Sequence, residues 1–306
     1  NLKTNKIEYK NFDKIDIKVI MRELVNEYTI EFTQEINVEA FLRKLNQILE
    51  LKKRNTKRKI REAFDEYYQS IEDRIDQIRK IENVLDFAGV KPGMHILEIG
   101  TGWGQLAMQA AYRGAKVHTI TLSKEQKALA ESRIAKAGLS NLITVELRDY
   151  RDLAGQYDAV VSVEMIEAVG EKYWPTYFDA ISKHLKPGGR FGLQAITMPH
   201  DRLLASKHAY TWIHKYIFPG GIIPSREVID QFTKDEMKLS DSLSIRMGYA
   251  ETLRLWREKF MENQAKVIAL GFDEEFLRMW QYYLAYSEAG FRSGHLDVWQ
   301  LGFIKK

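Results

Sequence analysis

Gly100, Gly102 and Gly104 close an apolar run from Met94 to Ile99, with Glu98 just inside its end. Glycine removes the β-carbon where a backbone must bend sharply, so a ligand can lie directly against the main chain. The segment Leu106–Ala111 that follows reads as a helix whose first N–H groups are free to meet a polar ligand. A strand, a glycine turn and a helix in that order suit a nucleotide-like cofactor. The dinucleotide pattern needs its third glycine three places after the second, and Gln105 stands there. No acidic residue for a ribose occurs in Val117–Ser123 either, which argues against a nicotinamide cofactor. Glu98 at the strand end fits a methyltransferase better.

Other chemistries find less support. With no cysteine in 306 residues, disulfides, thiolate metal sites and a cysteine nucleophile are excluded, and a cytoplasmic setting is the expectation. His200, His208 and His214 are too irregularly spaced to share one helical face, so no metal site is expected. Ser123 and Ser162 lack the G-x-S-x-G elbow of a hydrolase. Ser123 followed by Gln126 reads as a capping box for the next helix.

The elements that must hold these residues are legible in the hydrophobic pattern. Met94–Ile99, Lys116–Thr121, Ile143–Leu147, Ala159–Val163 and Arg190–Ile196 read as strands, with helices near 104–113, 123–137 and 174–185 between them. That alternation predicts an α/β fold, a Rossmann-like parallel sheet with helices on both faces. Gly100, Thr121, Asp149 and Glu164 then fall at the carboxyl ends of strands, where such sheets bind ligands. Residues 1–80 read as a mostly helical accessory region and 81–306 as the catalytic domain. Within the latter, 199–290 reads as an aromatic-rich, largely helical insertion covering the substrate, and Asp297–Lys305 as a returning final strand. No apolar run approaches the roughly 18 to 20 residues that span a bilayer. The net charge is only +4, yet Lys52, Lys53, Arg54, Lys57, Arg58, Lys59 and Arg61 crowd into ten residues. An anionic phospholipid surface or a nucleic acid would meet that cluster at roughly 1 kcal/mol per basic residue; a solvated helix face is the bland alternative.

Several motifs in order carry a family resemblance. They are Leu97–Gly104, Thr119–Gln126, Arg148–Asp152, Ser162–Gly170 and Lys215–Gly221, followed by Tyr249–Leu253, Arg278–Leu284 and Phe291-Arg292. Over roughly residues 80 to 306 the chain resembles the cyclopropane-fatty-acyl-phospholipid synthases. The resemblance implies an S-adenosylmethionine fold and an unsaturated phospholipid acyl chain as methyl acceptor. It puts Glu98, Gly100, Gly102 and Gly104 around the amino-acid part of the cofactor, Thr121, Leu122 and Gln126 near its ribose, and Asp149 with Tyr150 near the adenine. It also implies a peripheral protein at the cytoplasmic membrane face, a homodimer, and no nucleic-acid partner.

The same resemblance implies a bicarbonate ion as base, held by a Cys, a Glu, a His, a backbone group beside an Ile, and a Tyr. Glu167, Ile196 and Tyr249 stand at matching positions. The histidine is Gln194, the cysteine is absent, and Ala168 replaces another family histidine. The family's upstream His-Tyr-Asp-x-Gly-Asn motif is also missing. This departure points to a protein carboxylate as direct base, Glu164 ahead of Glu167, since burial beside apolar lipid raises a glutamate's basicity. A ring or a methylene or methyl branch would follow, depending on which carbon loses its proton. A small-molecule methyltransferase and an inactive lipid-binding relative are the alternatives.

Overall fold

The computed structural model describes residues 78–306, and the basic stretch at 52–61, with the accessory region to which it belongs, lies outside them. In chain order the elements are a helix over 78–87 (α1), β1 (His95–Ile99), α2 (Gln105–Tyr112), β2 (Lys116–Thr121), α3 (Lys124–Lys136), β3 (Ile143–Leu147) and β4 (Tyr157–Val163). There follow α4 (Ile166–Val169), α5 (Trp174–His184), β5 (Leu185–Thr197), α6 (His200–Ser206), α7 (Trp212–Tyr216), α8 (Arg226–Thr233) and β6 (Met237–Ser244). The chain closes with α9 (Arg246–Glu262), α10 (Gln264–Ala269), α11 (Glu274–Arg292) and β7 (Asp297–Lys305).

The seven strands form one sheet in the order β3-β2-β1-β4-β5-β7-β6. Strands β1 to β5 are parallel, as the alternating pattern requires, and β7 inserts antiparallel between β5 and β6. Successive strand residues feed opposite layers. Leu97, Ile99 and Val160 join Trp174, Tyr177, Phe178 and Ile181 of α5 on one face. Ile96, Ala159 and Val161 join Val84 and Leu85 of α1 and the alanines of α2 on the other. Both faces are therefore dry, which is why these strands read as continuous apolar runs.

The region after Met198 is largely helical, and β6, which the hydrophobic pattern does not single out, lies within it. Its sequence, Met-Lys-Leu-Ser-Asp-Ser-Leu-Ser, is mostly exposed and polar, as befits a sheet edge. Beyond the sheet, Ala250 and Leu253 of α9 pack with Leu284 and Phe291 of α11 against Val298 of β7. Glu288 of α11 ties these two helices together by accepting from Arg257 of α9 at 2.8 Å, and it also accepts from Arg292 of its own helix at 2.7 Å. Among the described residues no helix is long and apolar enough to cross a membrane.

Candidate active site

At the carboxyl ends of β1, β2 and β3, a cleft of about 380 Å³ is lined by Gly100, Thr121, Leu122, Asp149, Tyr150 and Met165, among others. The glycine turn bounds it: Gly100, Gly102 and Gly104 all have positive φ, and Gly104 caps α2 with no side-chain bond to the first N–H groups. A β-carbon on Gly100 would come within 2.7 Å of Met165 Cγ, so the glycine lets two cleft walls approach. The turn therefore leaves unclaimed donors at the cleft, as a ligand-binding helix start should.

Glu98, Gly102, Gly104 and Gln126 are not among the residues that line the cleft. Glu98 is buried, its Oε2 has no partner, and burial pushes its pKa up from 4.5 to about 8. An orphaned buried carboxyl beside the glycine turn fits a ligand that brings its own positive charge. Thr121 donates its hydroxyl to Gln126 Oε1 at 2.7 Å, orienting the amide. Ser123 caps α3 by accepting from the Gln126 N–H at 3.1 Å. The glutamine side chain goes to Thr121 instead of returning to Ser123, so only half of the expected capping box forms. Asp149 faces Arg151, which donates from its backbone N–H and Nε at 2.9 Å and from Nη2 at 2.7 Å. That guanidinium holds the Asp149 carboxyl below the usual range. Arg151, within the Arg148–Asp152 motif but assigned no role by it, shares the lining.

A second cluster forms where β4 ends. Glu164 has φ +52, the one described non-glycine residue in the left-handed region, and its N–H donates to the Gln194 carbonyl at 2.8 Å. Such backbone strain persists where the surroundings enforce it, and it gathers at functional sites. Gln194, fully buried on β5, donates through Nε2 to Glu164 Oε1 at 2.7 Å and to the Tyr249 hydroxyl oxygen at 2.6 Å. Tyr249, from α9, donates its own hydroxyl to the same Glu164 oxygen. Burial first, then the Glu164 charge, pushes the Tyr249 phenol above its ordinary range, so it stays a donor.

Glu167, on the single turn α4, accepts from the Ile196 N–H at 2.6 Å, while its Oε2 is buried without a partner. Burial, then the neighbouring Glu164, raises its pKa from 4.5 to about 8. The cluster thus pairs two carboxyl groups in different settings: Glu164 accepts from two side-chain donors, whereas Glu167 is raised toward neutrality. The Tyr249 hydroxyl and the Ile196 N–H both donate to these carboxyl groups, Gln194 stands where the bicarbonate reading has a histidine, and the cysteine of that reading is absent. A bicarbonate ion does not fit this arrangement.

Two members of the cluster escaped the sequence reading. Lys80 on α1 lies with Nζ 5.4 Å from the centre of the Tyr249 ring. Gln300 on β7 donates to Gln194 Oε1 at 2.8 Å. Its signal was a buried polar residue in the apolar run Val298–Phe303, but only the β5–β7 register sets it opposite Gln194.

A seven-strand sheet in this order, with β7 antiparallel and a glycine turn at the carboxyl end of β1, is the fold of S-adenosylmethionine-dependent methyltransferases. The family model described as mycolic acid cyclopropane synthetase matches residues 63–301, and the chain belongs to that family. It is 56% identical over 232 residues to the tuberculostearic acid methyltransferase UfaA1 of Mycobacterium tuberculosis, covering 75% of this chain and 54% of that protein. It is 37% identical over 230 residues to the cyclopropane-fatty-acyl-phospholipid synthase of Escherichia coli K12, covering 75% and 58%. The chain thus spans little more than half the length of these curated relatives. Among solved structures, the cyclopropane synthase MmaA2 of Mycobacterium tuberculosis aligns with a TM-score of 0.68 at 30% identity, covering 75% of this chain and 84% of that one. The mycolic acid cyclopropane synthase CmaA1, solved with SAH and CTAB, aligns with a TM-score of 0.69 at 28% identity and the same coverages.

Proposed function

We propose that the protein is an S-adenosylmethionine-dependent C-methyltransferase acting on the double bond of unsaturated phospholipid acyl chains, with Glu164 as the proton acceptor. The observation that carries this is the closed contact of Glu164 with Gln194 and Tyr249, two positions at which the resemblance implies bicarbonate-holding residues. The names of relatives that methylate or cyclopropanate lipid chains support the substrate class.

S-adenosylmethionine, when bound, supplies an electrophilic methyl carbon. Gly100, Gly102 and Gly104 would give its amino-acid part room, Glu98 would meet its ammonium, Thr121, Leu122 and Gln126 its ribose, and Asp149 with Tyr150 its adenine. Methylation of an isolated alkene leaves a carbocation on the chain, and one C–H bond must then break, its electron pair closing the product. Glu164 Oε1 already accepts from two donors, so Oε2 is the oxygen left to take that proton. Surrounding rings, among them Tyr283 and Phe218 with centroids 6.1 Å apart, offer an apolar, cation-tolerant lining.

The substrate is embedded in a membrane. We therefore infer peripheral association of a cytoplasmic protein with an anionic leaflet through the basic stretch at 52–61, and assembly as a homodimer. Sedimentation with anionic and neutral vesicles tests the electrostatic part, and equal binding to both would remove it.

The function itself is tested by gas chromatography with mass spectrometry of fatty acids from cells supplied with an oleoyl-type phospholipid and expressing the protein. A product heavier by one methylene unit, abolished in Glu164→Gln, is the expected result. Unchanged acyl chains would redirect the search to soluble acceptors.

A further inference from the structure

We infer that Gln300 is a positioning residue that sets the hydrogen-bond polarity of the carboxylate site through Gln194. The inference rests on Glu164 being the proton acceptor. A backbone carbonyl can only accept, and the Lys80 carbonyl accepts from Gln300 Nε2 at 2.7 Å. That contact fixes which way the Gln300 amide faces. Its second proton goes to Gln194 Oε1 at 2.8 Å. With its oxygen so engaged, Gln194 must present its amino group to Glu164 and Tyr249, and it does so at 2.7 and 2.6 Å.

Each amide nitrogen has two protons, and all four are spent in this chain of contacts. Gln300 Oε1 remains buried with no partner, so the orientation is held by its donors alone. Were Gln194 free to turn over, its oxygen would face the Glu164 carboxylate, setting acceptor against acceptor. The sheet makes the geometry rigid, because Gln194 and Gln300 are direct cross-strand partners on β5 and β7 and both are fully buried. The charged and titratable groups facing Glu164 come from four other places: Glu167 on α4, Tyr249 on α9, Tyr283 on α11, and Lys80 Nζ, which reaches the Tyr249 hydroxyl at 3.4 Å. Glu164 itself, acceptor-only when ionised, favours the Gln194 amino group, and the amide oxygen at the other end still needs holding. Gln300 holds it without touching Glu164.

The test is a cycle of Gln300→Met, Gln194→Met and the double variant, with Gln300→Glu as a second probe that keeps the shape. In Gln300→Met, kcat is expected to fall about tenfold or more, with KM for S-adenosylmethionine within about twofold. In the Gln194→Met background the further change should stay below about twofold, since Gln300 has nothing left to orient. A full second loss there would mean a merely structural role and overturn the inference.

A readout free of catalysis is the side-chain amide signal of Gln194 in ¹⁵N-labelled protein, assigned by its loss in Gln194→Met. Two slowly exchanging protons with shifts displaced from those of a free glutamine amide are expected in the unsubstituted protein, and faster solvent exchange with shifts moved toward the free-amide values in Gln300→Met or Gln300→Glu. Unchanged signals in a folded Gln300 variant would also overturn the inference. Because this measurement needs no substrate, it decides the role of Gln300 even if no acyl lipid is methylated.

Discussion

The N–H of Ile196 on β5 donates to Glu167 Oε1 at 2.6 Å and so ties the second carboxyl of the site to the sheet. Burial, then Glu164, raises the Glu167 pKa to about 8, which favours the protonated acid at pH 7. Glutamine copies that neutral shape and keeps an oxygen for Ile196. Glu167→Gln should therefore hold turnover within about tenfold at pH 7, whereas Glu164→Gln should cost roughly 10²- to 10⁴-fold, the usual range for removing a general base. Product yields per enzyme compare the two directly, and the opposite order of losses would make Glu167 the base.

Glu98 imposes a pH dependence on stability. Its carboxyl keeps a proton in the folded protein up to about pH 8 but releases it near 4.5 once unfolded. Between those values the unfolded chain binds fewer protons, so this group makes stability fall as pH rises. Glu98→Gln removes the titration, and its melting temperature relative to the unsubstituted protein should climb from pH 5.5 to pH 8.5. S-adenosylhomocysteine, bringing an ammonium to the buried charge, should narrow that gap. A flat difference across the range would count against a buried, proton-retaining Glu98.

Gly100→Ala places a β-carbon 2.7 Å from Met165 Cγ at a backbone φ of +98. The comparable change at Gly102 has φ +52 and meets nothing within 4 Å. Both should lose stability by about 1 kcal/mol or more from backbone strain. Only Gly100→Ala should also weaken S-adenosylhomocysteine binding by about tenfold or more, measured by calorimetry. Equal affinities in the two variants would mean the Gly100–Met165 approach does not shape the cleft.

The left-handed backbone at Glu164, φ +52, separates conformation from chemistry. Glu164→Gly and Glu164→Ala both remove the carboxylate and should be equally inactive. The glycine variant should nonetheless be the more stable by about 1 kcal/mol, because only alanine carries a β-carbon into that region. Denaturant midpoints of the two variants give the comparison.

The five parallel strands and the glycine turn were legible because both faces of the inner strands are buried, leaving apolar runs broken by glycine, while edge strand β3 keeps an alternating pattern. Strand β6 was not, since an edge strand such as Met237–Ser244 is mostly exposed and interleaves polar residues with Leu239 and Leu243. Glu164 and Gln194 stood out only through departure from a family pattern, and their contact could not be read from periodicity. Gln300 and Lys80 were invisible for a different reason. A residue 106 positions from Gln194 and 220 from Lys80 acquires its meaning only when β7 inserts between β5 and β6.

That insertion has a consequence for quality control. Side chains alternate along a strand, so a slip of β7 by one residue against β5 would swing Gln300 to the opposite face and bring an apolar neighbour to Gln194. The amide would lose its anchor, and the reactive carboxylate its arrangement. A chain with its last strand out of register would be compact yet silent. The chemistry thus audits the assembly of the sheet, and turnover per molecule measures the fraction that has been threaded correctly.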